Sequence, residues 1–302
     1  MITSKSPNRV ATVAYAAAKE ALPVYSHKYS PKKFTQPQLA ACLVLKEFFT
    51  TDYRGIQHIL EDSSDLRKIL ELNEVPHFTT LHKAAQHLLK KRMMRKLLAA
   101  VLKMATTAKL VKNPVALAAL DGTGLESRHI SAYFVRRRNR EVKEAYQTTS
   151  YTRFPQAGVV CDTASHLVLA AVPGRGPSPD QWHYQQALQE TAKSTAVKRL
   201  LADAGYDSEA NHDLARQQYD IETIIPATKG RRTNKLPATK YRRMMRRLLD
   251  KLPYGQRWQV ETVFSMVKRN LGSALRAKAY WNQCREIMLK LLTHNVTIVL
   301  PG

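Results

Sequence analysis

The stretch from Tyr254 to Arg269, YGQRWQVETVFSMVKR, carries one glutamate, Glu261, among cations. On a continuous α-helix at about 100° per residue, Tyr254, Arg257, Glu261 and Lys268 fall within roughly 60° of arc. Arg257 and Glu261, four apart, could form no more than a solvated helix pair worth about 0.2–0.5 kcal/mol. The neighbouring face argues for more, because Val260, Val263, Phe264 and Val267 form an apolar stripe that docks the helix on a core. Glu261 then stands at the edge of a packed surface. A fixed carboxylate among cations suits a site for metal and phosphate, and such a site needs further carboxylates. Asp121 in LAALDGTG and Asp203 in LLADAGYD each close an apolar strand before a glycine-containing turn, and strand ends of an open sheet are where ligand sites gather. One acid there is ordinarily a turn former or a cap. Two of them, with a glutamate-bearing helix, supply three carboxylates able to hold two Mg²⁺ ions through oxygen ligands. Asp207 and Glu126 fall beyond the strand ends and read as turn or capping residues, and Asp162 belongs to a hairpin turn.

These acids need a frame. Residues 1–34, interrupted by Pro7, Pro23 and Pro31, read as an arm. Residues 35–112 read as helical: TQPQLAACLVLKEFF, then DYRGIQHILE with Asp52 as N-cap, SDLRKILEL, and a long basic helix from Thr79 or Thr80 onward. Such a set either reads a DNA groove, with Gln36, Gln38, Arg54, Gln57, His58, His82 and Lys83 as candidate readers, or only packs on the next domain. His77, His82 and His87, five apart, do not converge on one ligand position and read as surface or packing residues.

Residues 113–302 form an α/β unit. PVALAALDGTGLES is a buried strand ending near Asp121, FPQAGVVCDTASHLVLAAVPG two strands turned at DTASH, and SPDQWHYQQALQETAK a helix capped by Ser or Asp. VKRLLADAGYDS gives a short strand, SEANHDLARQQY a helix and DIETIIPA a strand, before the helix bearing Glu261. The expected fold is a mixed sheet flanked by helices.

The 302 residues include 48 Lys+Arg against 24 Asp+Glu, a formal charge of +24. That excess favours a polyanionic partner, nucleic acid above all. No apolar run reaches the length of a membrane span, and the N-terminus has no apolar signal core, so a cytoplasmic protein is expected. Cys42, Cys161 and Cys284 are scattered and suggest neither a disulfide framework nor a zinc site.

The blocks DGTGLESRHIS and ADAGYDS, with the spacing tyrosine, two residues, arginine, three, glutamate, six, lysine met by Tyr254, Arg257, Glu261 and Lys268, resemble the insertion-sequence transposases of the DDE type. The resemblance covers residues 35 to about 300. It implies an RNase H-like core, Asp121, Asp203 and Glu261 as catalytic metal ligands, and two Mg²⁺ ions with Mn²⁺ able to substitute. Tyr254, Arg257 and Lys268 would contact DNA phosphate. It further implies strand cleavage and strand transfer on double-stranded DNA, at element terminal repeats and target, by a homodimer in a nucleoid-associated prokaryotic setting. A nuclease that does not join strands, or a decayed DNA-binding repressor, are the alternatives. Larger members carry a β-rich insertion between the second aspartate and the glutamate. Here that stretch is short, basic and helical in pattern, so no base-flipping role passes to Trp182, Trp258 or Trp281, which read as packing residues.

Overall fold

A computed structural model describes residues 3–29, 31–127, 154–176, 181–228 and 236–299. Its centre is a mixed sheet of β1 (Ala118–Gly124), β3 (Phe154–Asp162), β4 (Val168–Gly176), β5 (Arg199–Leu201) and β6 (Glu222–Ile224) in the order β4-β3-β1-β5-β6. β1, β3 and β4 run antiparallel to their neighbours, whereas β1, β5 and β6 pair in parallel. This is the RNase H-like sheet expected from the sequence. A small parallel pair, β2 (Glu126–Ser127) and β7 (Ala274–Leu275), lies apart from it.

Side-chain alternation along the strands builds two cores. Ala118, Leu120, Val160 and Leu200 enter one, while Ala119, Val159, Cys161 and Leu201 enter the other. On the first face lie α1 (Pro7–Ala21), α2 (Gln36–Phe48), α5 (Phe78–Leu88), α6 (Lys91–Thr107) and α7 (Gln181–Ser194). The second carries α9 (Lys240–Leu248) and α10 (Gln259–Leu271), and α11 (Tyr280–Ile298) contributes to both. The α7 helix approaches closely because β3 and β4 present glycine beneath it. A Cβ on Gly158 would lie 2.7 Å from the Cβ of His183, and one on Gly174 would meet its ring. Among the described residues no helix is long and apolar enough to cross a membrane.

The arm expected at residues 1–34 does not hold for Pro7–Ala21. This segment is a helix whose Val10, Ala11, Val13, Ala14, Ala17 and Ala18 are buried in the core shared with the sheet. Pro7 sits at its first turn behind the Ser6 cap, where a missing N–H costs nothing, so this proline starts a helix rather than breaking one. The other helices follow their caps, Asp52 accepting from the Gly55 N–H at 2.8 Å before α3 (Tyr53–Asp62) and Ser63 capping α4 (Ser64–Ile69). The long basic helix divides instead into α5, which starts at Phe78 behind His77, and α6. Leu81 of the first buried stripe and Met94 of the second are 13 residues apart, about 220° around a continuous helix, so the break lets both stripes face the core.

β1 also runs three residues past Asp121. Gly122, Thr123 and Gly124 pair with Gly158, Ala157 and Gln156, so strand pairing overrides the glycine turn expected there. The region SEANHDLARQQY forms α8 (Glu209–Asp213) continued by a π-helical turn, Leu214–Gln218. The Ser or Asp cap expected before α7 lies outside the described residues.

His294, in the last turns of α11, is buried and donates from Nε2 to the His166 carbonyl at 3.0 Å. Burial lowers its pKa from 6.5 to about 4, against a smaller opposing effect of that hydrogen bond. The unfolded chain therefore takes up this proton first. The stability owed to neutral His294 is intact above about pH 6.5 and is lost as the pH falls towards about 4, by up to roughly 3 kcal/mol. Burial lowers the His212 pKa as well and adds a slope of the same sign. Urea unfolding followed from neutral to acidic pH should show this slope, and His294→Gln, which can still donate to the carbonyl, should lack the His294 part of it.

Candidate active site

Strand parity brings the two aspartates to one side. In the parallel β1–β5 ladder Ala118 pairs with Leu200 and Ala119 with Leu201, so Asp121 and Asp203 each follow the last of these pairs by two residues. Asp121 lies two residues beyond Ala119 and Asp203 two beyond Leu201, both members of the core under α10. β5 ends at Leu201, and Asp203 caps a 3₁₀ turn, Ala204–Tyr206, by accepting from the Gly205 N–H at 2.9 Å.

The glutamate arrives from the helix laid across that core. Val260, Val263, Phe264 and Val267 are buried as the stripe predicts, and Glu261, next to Val260, has its side chain 56% exposed. Tyr254 and Arg257 do not share that α-helix. They occupy a 3₁₀ turn, Tyr254–Trp258, that leads into it and packs on β1 and β5. At three residues per turn, positions 254 and 257 still eclipse, so the expected common side survives a different helix type.

Arg257 draws the acids together. Its Nη1 donates to Asp121 Oδ2 at 3.1 Å and its Nη2 to Glu261 Oε1 at 2.6 Å. The supposed solvated pair is thus one half of a bridge between strand and helix. Burial alone lowers the Arg257 pKa, but Asp121 and Glu261 outweigh it and leave the guanidinium above its ordinary value. Burial raises the Tyr254 phenol; Arg257 opposes this, while Asp203 and Asp121 add to it. Lys268 stands apart, seven residues or about 10 Å along the helix axis from Glu261. It lines a small cavity with Thr123, Leu125 and Lys290, and among the described residues it makes no ion pair.

The fit to a hard divalent cation rests on the donors. Asp121 and Glu261 offer carboxylate oxygens to one point now held by a guanidinium, and the charge of Asp203 is near enough to Tyr254 to help raise its pKa. Among the described residues no group of three or more His, Cys, Asp or Glu side chains stands at cation-binding spacing. The donor chemistry fits, while the side-chain arrangement is closed on Arg257.

A sequence model described as a transposase DDE domain matches residues 116–296. The chain belongs to that family. No curated protein matches it. Members of the DDE family generally use divalent metal ions, and membership implies a DNA substrate.

The remaining acids of this DDE-family chain are accounted for by structure. Asp162 accepts from the Ser165 N–H at 3.0 Å and from its hydroxyl at 2.6 Å within the hairpin turn. Glu126 lies exposed on β2. Asp207 is more than a turn residue: its side chain is fully buried, and it accepts from Arg242 Nε at 3.0 Å and from the Thr228 N–H and hydroxyl at 2.7 Å each. Burial raises its pKa, but Arg242 and Thr228 outweigh this and hold the carboxyl below its ordinary value.

The basic stretch before the Glu261 helix and the candidate base readers are in part committed inside the fold. Arg242 is tied to Asp207, and Arg243 donates to the carbonyls of Pro237 and Ala238 at 3.0 and 2.8 Å. Arg246 and Arg247 are exposed, and Arg231 and Arg232 lie outside the described residues. Gln38 is buried and donates to the carbonyls of Leu70 and Glu71, which removes it as a base reader, while Gln57 bonds the Phe78 N–H and Glu61, and His58 also meets Glu61. Gln36 is half-buried, while Arg54, His58, His82 and Lys83 remain at the surface. Trp182, Trp258 and Trp281 are 77%, 55% and 71% exposed, so none is a core residue.

One charged group went unread in the sequence. Lys46, Glu47 and Lys290 interrupt apolar helices and are buried together, Glu47 lying 2.7 Å from Lys290 Nζ and 3.2 Å from Lys46 Nζ. Lys290 also donates to the carbonyl of Leu271, the last residue of α10. The cue was a Lys-Glu pair inside LVLKEFF and a lysine inside IMLKLL.

Proposed function

We propose that this chain cleaves and joins DNA strands at the ends of an insertion sequence, with Asp121, Asp203 and Glu261 as its acidic set. The reading is supported above all by one observation: Arg257 ties Asp121, 136 residues away in sequence, to the Glu261 carboxylate on the packed helix. The three carboxylates would hold two Mg²⁺ ions, or Mn²⁺ in their place, which when bound supply Lewis-acid stabilisation of the attacking and leaving oxygens at phosphorus. The chain's own residues do the rest. Asp121 and Asp203 follow neighbouring strands at equivalent positions, and the buried stripe of α10 holds Glu261 on the same side, which supports their acting together. Arg257 offers a two-pronged donor and Lys268 a point charge to phosphates along the helix, so the duplex is gripped on both sides of the acids. Tyr254, its phenol kept protonated, donates to a phosphate near the cut end. Water first opens the strand to leave a 3′-hydroxyl, and that hydroxyl then attacks target DNA. The protein works as a homodimer on paired element ends in the cytoplasm, associated with the nucleoid. Arg54, His58, His82 and Lys83 on the N-terminal helices read the terminal repeat.

The test is incubation of the full chain with candidate element ends and Mg²⁺, followed by sequencing of the products. Joined products carrying the 3′ end support the proposal. Cleavage without joining would make the chain a nuclease, and binding without cleavage a repressor.

Phosphate gripping makes a second measurable claim. Affinity for duplex DNA should fall steeply with salt. Replacing Arg246 and Arg247, both exposed on α9, by glutamine should flatten the slope of log K against log salt by about one to two units. An unchanged slope would make that run a solvated face.

A further inference from the structure

We propose that Arg257 is a shared counter-ion whose displacement couples cation binding at the carboxylates to DNA binding. The inference rests on the reading of Asp121, Asp203 and Glu261 as the acidic set. Its basis is the double contact of one guanidinium, 3.1 Å to Asp121 and 2.6 Å to Glu261. Arg257 is 23% exposed at the side chain, and Asp121 18%, so this half of the bridge is largely withdrawn from water and weakly screened. A divalent cation drawn to the same oxygens meets a fixed positive charge among them. A cation held between Asp121 Oδ2 and Glu261 Oε1 would occupy the point where the guanidinium now sits and be repelled by its charge, so it enters most readily when Arg257 leaves.

A leaving guanidinium needs another anion. A DNA phosphate presents the same pair of acceptor oxygens as a carboxylate and takes the same fork of donors. Arg257 is carried on a short 3₁₀ turn beside Gly255, whose surroundings are open, with nothing within 4 Å of a Cβ built there. DNA and cation then favour the same position of one side chain, and by linkage each must tighten the other. In the free protein Arg257 keeps the acids neutralised and poorly receptive to metal. Arg257 thus serves both as a phosphate contact and as the gate on the carboxylates it bridges.

The test uses the full chain with Mn²⁺ alone, reading free Mn²⁺ by electron paramagnetic resonance without DNA. Arg257→Gln should bind Mn²⁺ more tightly than the parent by roughly 5–150-fold, the usual span of coupling between two sites. Arg257→Lys, which keeps the charge but loses the fork, should fall between them. A short duplex of arbitrary sequence should tighten Mn²⁺ binding to the parent by a similar factor and leave Arg257→Gln nearly unmoved, after subtraction of a DNA-only titration. A merely structural arginine would lower the melting temperature when replaced and would not raise Mn²⁺ affinity. If the glutamine variant does not fold, the lysine variant decides alone and must still bind Mn²⁺ more tightly than the parent. Equal Mn²⁺ affinity in parent and variants, together with loss of binding in Asp121→Asn, would overturn the coupling and leave the acidic set standing. Mn²⁺ binding unchanged by both Asp121→Asn and Glu261→Gln would overturn the acidic set, and the coupling with it.

Discussion

Alanine in place of Asp121, Asp203 or Glu261 should abolish strand cleavage, a loss of about a thousandfold or more, the upper range for removing one preorganised electrostatic group. DNA affinity should stay within a few-fold, because phosphate contacts by cations dominate it. The three positions differ in what else they hold. Asp121 and Glu261 are partners of Arg257, so their loss frees a guanidinium for phosphate and should strengthen DNA binding slightly. Asp203 instead caps the Ala204–Tyr206 turn, so its alanine variant should also lose about 1 kcal/mol of stability, whereas asparagine keeps a cap. Asp207 is the informative contrast. It lies four residues from Asp203, but its carboxylate is buried against Arg242 and Thr228, so Asp207→Ala should cost stability, by about 3–5 kcal/mol for a broken buried pair. Where Asp207→Ala still folds, it should retain cleavage. Strand-cleavage assays beside thermal melts separate the two kinds of loss. Full cleavage by any one of the first three variants would remove that residue from the site.

Much of this arrangement can be read from short-range pattern. Alternation places Asp121 on the same face as Ala119 and Asp203 on that of Leu201, and the Val260, Val263, Phe264, Val267 stripe aims its helix at that face. The break between α5 and α6 is also written in the sequence, in two apolar stripes that no single helix could point the same way. Other features depend on context that periodicity does not carry. Pro7 either breaks or begins a helix, and only the Ser6 cap with the buried alanines behind it decides. Gly122 and Gly124 carry turn chemistry but stay in the strand because β3 supplies a partner. Arg242 and Arg246 look alike in KYRRMMRR, yet one meets Asp207 and the other meets water. Nor does spacing show that Arg257 would span two acids, since only one of them lies nearby in sequence.

Glu47→Ala should lose about 3–5 kcal/mol of stability, the cost of breaking a buried ion pair by removing one partner. Glu47 is 4% exposed at the side chain, and Lys290 and Lys46 beside it are 4% and 9% exposed. One carboxylate therefore compensates two ammonium groups, and without it both are left charged and poorly hydrated. Against a total stability of roughly 5–15 kcal/mol for a folded domain, such a loss is a large fraction. The triad joins α2 to α11, and through the Leu271 carbonyl it also holds the end of α10 opposite Glu261. Loss of the anchor should thus loosen the last turn of α10 before the whole chain unfolds, visible as faster amide exchange near Leu271. The double variant Glu47→Leu with Lys290→Met removes both charges of the closer pair and should recover the part of the stability owed to Lys290, since buried pairs replaced by apolar side chains of similar volume are often neutral, while Lys46 stays unpaired. Recovery in the double variant but not in either single one marks an uncompensated charge as the cause, rather than a cavity. A Glu47→Ala denaturant midpoint matching the parent, with exchange near Leu271 unchanged, would show that the lysines find water and that the α2–α11 contact is held by its apolar residues alone.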